Sequence, residues 1–92
     1  MDKRLTVVLT LKDRPSYTDF FLNHSVYDAY DYLVLDGSFG PENEAIFSRR
    51  TLPNVKYVRY QADETYDHYL EKVRDGLSRV TTPYLVRIDN DD

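Results

Sequence analysis

Leu5-Thr6-Val7-Val8-Leu9-Thr10-Leu11 is β-branched and mostly apolar, without polar–apolar alternation. That composition marks a β-strand buried on both faces, and strands of that kind belong to parallel sheets covered by helices on either side. Lys12-Asp13-Arg14-Pro15 ends the run. Ser16-Tyr17-Thr18-Asp19 then has the spacing of a capping box, and Tyr17, Phe20, Phe21 and His24 follow at helical intervals, which predicts a helix over about 17–26.

The pattern repeats along the chain. Residues 32–35 (Tyr-Leu-Val-Leu) read as a second buried strand, closed by Asp36-Gly37-Ser38. Pro41 opens a second helix, with Glu42 and Glu44 in its first turn, Arg49 and Arg50 in its last, and Ile46 and Phe47 turned inward. Residues 55–61 form a third strand. A helix over 65–80 presents Tyr66, Tyr69, Leu70, Val73, Leu77 and Val80 as one apolar stripe, with Asp67, Glu71, Lys72, Arg74 and Arg79 outside. Tyr84-Leu85-Val86-Arg87-Ile88 is the fourth strand and runs into Asp89-Asn90-Asp91-Asp92. Strands alternating with helices at this spacing predict an α/β fold of order βαβαβαβ, a Rossmann-like, mostly parallel sheet with right-handed crossovers.

At 92 residues the chain is a single α/β domain. A fourth strand followed at once by three carboxylates predicts a fragment of a longer protein. Twelve basic against 16 acidic residues give a charge of −4, which argues against nucleic acid as partner. No apolar run approaches the roughly 20 residues of a membrane span. The absence of cysteine removes disulfides, thiolate metal sites and cysteine nucleophiles, and together with the missing signals it predicts a cytoplasmic protein, peripheral to the membrane only through other regions.

In an open parallel sheet, ligands bind beyond the carboxyl ends of the strands where strand order reverses. With the order 3-2-1-4, the ends of strands one, two and four would lie side by side. Asp13, Asp36, Asp89, Asp91 and Asp92 would then share one crevice with Lys12 and Arg14. Oxygen ligands without His or Cys favour a hard ion, Mg²⁺ or Mn²⁺. No G-x-G-x-x-G or Walker loop follows the first strand, so phosphate would depend on the metal, helped by Lys12 or Arg14. His24 and His68 have no partner at metal-ligand spacing. Read alone, residues 89–92 are a solvated acidic stretch and Asp36-Gly37-Ser38 a plain turn.

Three segments in order carry a resemblance: residues 6–15, ending Thr-Leu-Lys-Asp-Arg-Pro; residues 33–38, ending Asp-Gly-Ser; and residues 84–92, ending Asp-Asn-Asp-Asp. Together they resemble the nucleotide-sugar-binding half of family 2 glycosyltransferases, ending at the D-x-D motif. The resemblance implies the N-terminal half of a GT-A fold and a UDP- or GDP-linked sugar as ligand. By position it implies Thr10 and Lys12 in the nucleoside pocket, with Asp13 and Arg14 beside them. Asp36 would meet the base edge, and Asp89 and Asn90 the ribose and first phosphate. Asp91, with Asp89 and Asp92, would hold Mn²⁺ or Mg²⁺. Arg59 is a further sugar-nucleotide contact by rough position. The chain departs from the pattern at Leu35, where many members carry another Asp, and at Lys12, where an aromatic or polar residue is usual. The acceptor site and catalytic base of the family come after D-x-D, outside this chain, so transfer would belong to the full-length protein. The alternative is a non-catalytic flavodoxin-like or receiver-like interaction module. Its third strand ends Tyr60-Gln61-Ala62, without the phosphoacceptor aspartate of a receiver. A structural fragment with an exposed sheet edge is a third reading.

Overall fold

The computed structural model describes residues 3–89. Four strands, β1 (Leu5–Leu11), β2 (Asp31–Asp36), β3 (Val55–Arg59) and β4 (Tyr84–Asp89), alternate with three helices, α1 (Pro15–His24), α2 (Glu42–Arg49) and α3 (Tyr66–Ser78). All strand pairs are parallel, in the order β3-β2-β1-β4. The fold is α/β and Rossmann-like, as the alternation predicts.

Topology follows from crossover handedness. The first two crossovers step the same way across the sheet, so α1 and α2 share a face; the third returns past β2 and β1, which puts α3 on the opposite face. Leu9, Leu11, Tyr32 and Val34 pack with Phe21, Leu22, Ile46 and Phe47 on the first face. Val8, Leu33 and Leu35 make a smaller core on the second, with Val58, Tyr60 and Val80 against it. Reversal of strand order falls between β1 and β4.

Four details differ from the sequence reading. Ser16 does not cap α1. Arg14 is the N-cap residue, in the left-handed region, and Pro15 starts the helix, its fixed φ and missing N–H suiting a first position. Lys72 is not outside α3 but buried. The contact line of α3 is rotated so that Lys72, Val73 and Gly76 meet the sheet, whereas Tyr66, Leu70 and Leu77 of the expected stripe are exposed. Close approach at Gly76 sets that rotation: a methyl there would lie 2.7 Å from Leu35 Cδ2 and 2.9 Å from Cγ, and closer to Cδ1. Finally, β4 is not a buried strand. It bonds to β1 along one side, but Tyr84, Leu85, Val86 and Ile88 are exposed, and no helix among the described residues buries them.

Candidate functional site

A cavity of about 500 Å³ opens at the reversal point. Thr10, Leu11 and Lys12 reach it from the end of β1, and Asp89 from the end of β4. Thr65, Tyr66, Tyr69 and Lys72 of α3, with Asp63 and Glu64 before the helix, form its other wall. Thr10 sits opposite Asp89 in the β1–β4 register, and its hydroxyl donates to Asp89 Oδ1. The Arg87 guanidinium lies 4.0 Å from the same oxygen. Lys12 places its ammonium over the Phe39 ring, 5.4 Å from the centroid.

At the buried end, Lys72 is 1% exposed. Its Nζ donates to Asp63 Oδ2 at 2.5 Å and to the Leu11 carbonyl at 3.3 Å. Asp63, 7% exposed, donates its N–H to the Gly37 carbonyl at 2.9 Å and packs its carboxylate against Gly37. A Cβ at position 37 would fall 2.5 Å from Asp63 Cγ, so only glycine admits this approach. One ion pair thus joins the loops after β1, β2 and β3 to α3.

The structure divides the residues expected to share one crevice. Thr10, Lys12 and Asp89 meet at the cavity. Asp36 does not: it is fully buried on the α1/α2 side of the sheet. Its Oδ1 accepts from Ser38 N (2.9 Å) and Ser38 Oγ (2.5 Å), and its Oδ2 from the Tyr57 hydroxyl. With both oxygens engaged inside the protein, Asp36 shapes the loop rather than presenting an acceptor to a base. Burial, reinforced by the Asp36 carboxylate, raises the Tyr57 phenol above its ordinary range.

Asp13 belongs to the same network. Its Oδ1 accepts from the N–H groups of Phe39 (3.2 Å) and Gly40 (3.3 Å), and Asn43 Nδ2 donates to its carbonyl at 2.8 Å. These bonds hold Asp13 and Arg14 in the left-handed region at φ 57° and 54°. Asp tolerates that conformation; for Arg14 it carries strain of about 1–3 kcal/mol, the kind of local cost found beside ligand sites. Arg14 stacks over the Tyr17 ring at 5.6 Å. Arg59 donates to the carbonyls of Ser38 and Gly40, both at 3.1 Å, and so fastens the β2 loop rather than lining the cavity. Asn90, Asp91 and Asp92 lie outside the described residues. Among the described residues, no three carboxylates or imidazoles converge as a metal cage. On the cavity wall, Asp63, Glu64 and Asp89 carry carboxylate oxygens, the donor type Mg²⁺ and Mn²⁺ take, and that of Asp63 is engaged by Lys72.

The sequence reading missed Asp63, Tyr69 and Lys72 as cavity residues. A signal was present: Tyr69, Lys72, Val73 and Gly76 share one helical face, and a lysine at such a core position needs a buried acid.

A second polar pair lies beyond the cavity. The Tyr60 hydroxyl donates to Asp75, which also accepts from Arg79 Nε at 2.9 Å. Burial, then the Asp75 carboxylate, pushes the Tyr60 phenol up to about 12. Tyr60 therefore contributes stability that is complete below pH 10 and is lost as pH rises from 10 to about 12. Melting temperature measured between pH 8 and 12 is expected to fall in that window, and less steeply in Tyr60→Phe. An unchanged slope in the variant would count against the pair.

No protein-family model matches the chain, and no curated protein matches it either. Among the described residues, no helix is long and apolar enough to cross a membrane.

Proposed function

We propose that this chain is the nucleotide-sugar-binding portion of a metal-dependent glycosyltransferase. The observation that supports this reading is the cavity at the β1/β4 reversal, with Thr10, Lys12 and Asp89 on its walls. In this reading Thr10 and Lys12 would border the nucleoside, Asp89 and Asn90 would meet the ribose and first phosphate, and Asp91, with Asp89 and Asp92, would hold Mn²⁺ or Mg²⁺. Such an ion, when bound, would supply positive charge to offset the diphosphate of a UDP- or GDP-linked sugar. Asp13, Arg14 and Asp36 act indirectly, by shaping the loops that frame the cavity.

Calorimetric titration of UDP and GDP, with Mn²⁺ and again with EDTA, tests the reading. The metal is expected to tighten binding of one of them by about tenfold or more, equivalent to about 1.4 kcal/mol. Asp91→Asn is expected to abolish that gain and Asp89→Asn to weaken it. Equal affinity with and without metal in all three proteins would overturn the metal's role, and no nucleotide binding in the full-length protein would overturn the reading itself.

One observation favours a second reading, a non-catalytic α/β interaction module: β4 exposes apolar side chains on both faces, along an edge that is unpaired among the described residues. That reading expects concentration-dependent self-association by sedimentation, suppressed by Val86→Lys. A monomer at all concentrations would count against self-association through this edge.

A further inference from the structure

The inner end of the cavity holds a cation that the proposed metal chemistry leaves unused. We infer that Lys72 is a phosphate-binding residue, which together with the first turn of α3 receives the diphosphate of a nucleotide directly. The inference rests on the proposed function for the nucleotide, though not for the anion site.

Lysine is almost never fully buried unless paired. Here the pairing alone is a poor reason for it, since replacing a buried ion pair with well-packed apolar residues is commonly neutral or stabilising. Lys72 also lines a cavity rather than a packed core. An ammonium has three donors, and the bonds to Asp63 and Leu11 occupy two of them. Asp63 engages the ammonium through Oδ2 alone, its Oδ1 having no hydrogen-bond partner, so the carboxylate does not chelate Lys72 and takes only one of its three donors.

A separate feature points the same way. The 13-residue α3 begins at the cavity, with its N-cap Thr65 and first residue Tyr66 both on the wall. Thr65 Oγ1 accepts from His68 N at 3.2 Å, one of the first-turn N–H groups. The others, with the positive end of the helix dipole, suit an anion. Tyr69 of the cavity wall has the Lys72 ammonium 5.2 Å and the Arg87 guanidinium 5.3 Å from its ring centroid. A diphosphate with one end at Lys72 and the other toward Asp89 would separate the ammonium from the metal, each taking different oxygens. Charge-assisted bonds of this type are about twice as strong as neutral ones.

The test follows the Lys72 side-chain ammonium by NMR in ¹⁵N-labelled wild-type protein. Inorganic pyrophosphate is added in EDTA, then UDP, then uridine. A saturable Lys72 shift with pyrophosphate and UDP, and none with uridine, is expected. Lys72→Met/Asp63→Asn removes both charges together. It is expected to weaken pyrophosphate and UDP by about tenfold or more while leaving uridine unchanged. Should this variant not fold, the wild-type shifts decide alone. UDP binding with an unshifted Lys72, or equal loss of UDP and uridine in the variant, overturns the phosphate role and leaves the nucleotide reading standing. Pyrophosphate binding at Lys72 with UDP no tighter keeps the anion site and overturns the nucleotide reading. No binding of either overturns both.

Discussion

Asp63→Ala is expected to cost the domain about 3–5 kcal/mol, because it strands a buried ammonium without its counter-charge. Lys72 would keep only the Leu11 carbonyl, at 3.3 Å, and at 1% exposure water offers its ammonium little replacement for the lost carboxylate. Total stability for a chain of this length is about 5–14 kcal/mol, so the variant loses a large fraction of it. The loss is not the worth of the pair. Lys72→Met/Asp63→Ala removes both charges and is expected to recover most of the deficit, since desolvation of the two ions largely offsets their attraction. Urea midpoints of the wild type, the single variant and the double variant, followed by circular dichroism, measure both effects. A loss below about 1 kcal/mol in Asp63→Ala would mean that water reaches Lys72, as at a surface pair.

Leu35→Ala is expected to cost about 2–5 kcal/mol, with a sign reversal at its neighbour. Leu35 is fully buried beneath α3, where Gly76 lets the helix backbone come close. In the wild type, Gly76→Ala gains about 1 kcal/mol of helix propensity but drives its methyl into the Leu35 side chain, an overpacking cost of about 1–3 kcal/mol. Gly76→Ala is therefore destabilising there. In the Leu35→Ala background the methyl enters the vacated space, and the same substitution becomes stabilising. A double-mutant cycle built from urea midpoints reads the coupling, and an additive cycle would mean that α3 does not rest on Leu35.

The strand and helix order was legible because each strand is a short apolar run and each break carries Pro, Gly or Asp. Helix boundaries were less so. Ser16 has the chemistry of a cap, yet Pro15 precedes it and accepts the first helical position itself, while the loop network at Asp13 sets the backbone before it. Part of the candidate site was legible too. Thr10, Lys12 and Asp89 stand at strand ends beside a predicted reversal, and the cavity is found there. Asp36 also stands at a strand end, but side-chain direction separates it from them. Alternation along β2 turns Asp36 toward Tyr57 on the α1/α2 face, whereas Thr10 on β1 points to the α3 face with Asp89.

The amino-acid sequence by itself determined the α/β class, the parallel sheet and the strand ends beside which the cavity opens. Those depend on period, on run length and on the handedness of crossovers, all of which are local or chirality-bound properties of the chain. Tertiary structure alone decided which face of α3 is buried and which polar residues meet. Lys72 and Asp63 are nine residues apart and Leu11 lies far upstream, and the chain's pattern treats Lys72 as an ordinary surface residue and Asp63 as an ordinary loop residue. Only the approach of α3 to the sheet at Gly76, and of Asp63 to Gly37, removes water from them and makes them a pair. The exposure of β4 is likewise a tertiary fact: an apolar strand is buried only where another element packs over it, and among the described residues none buries this one.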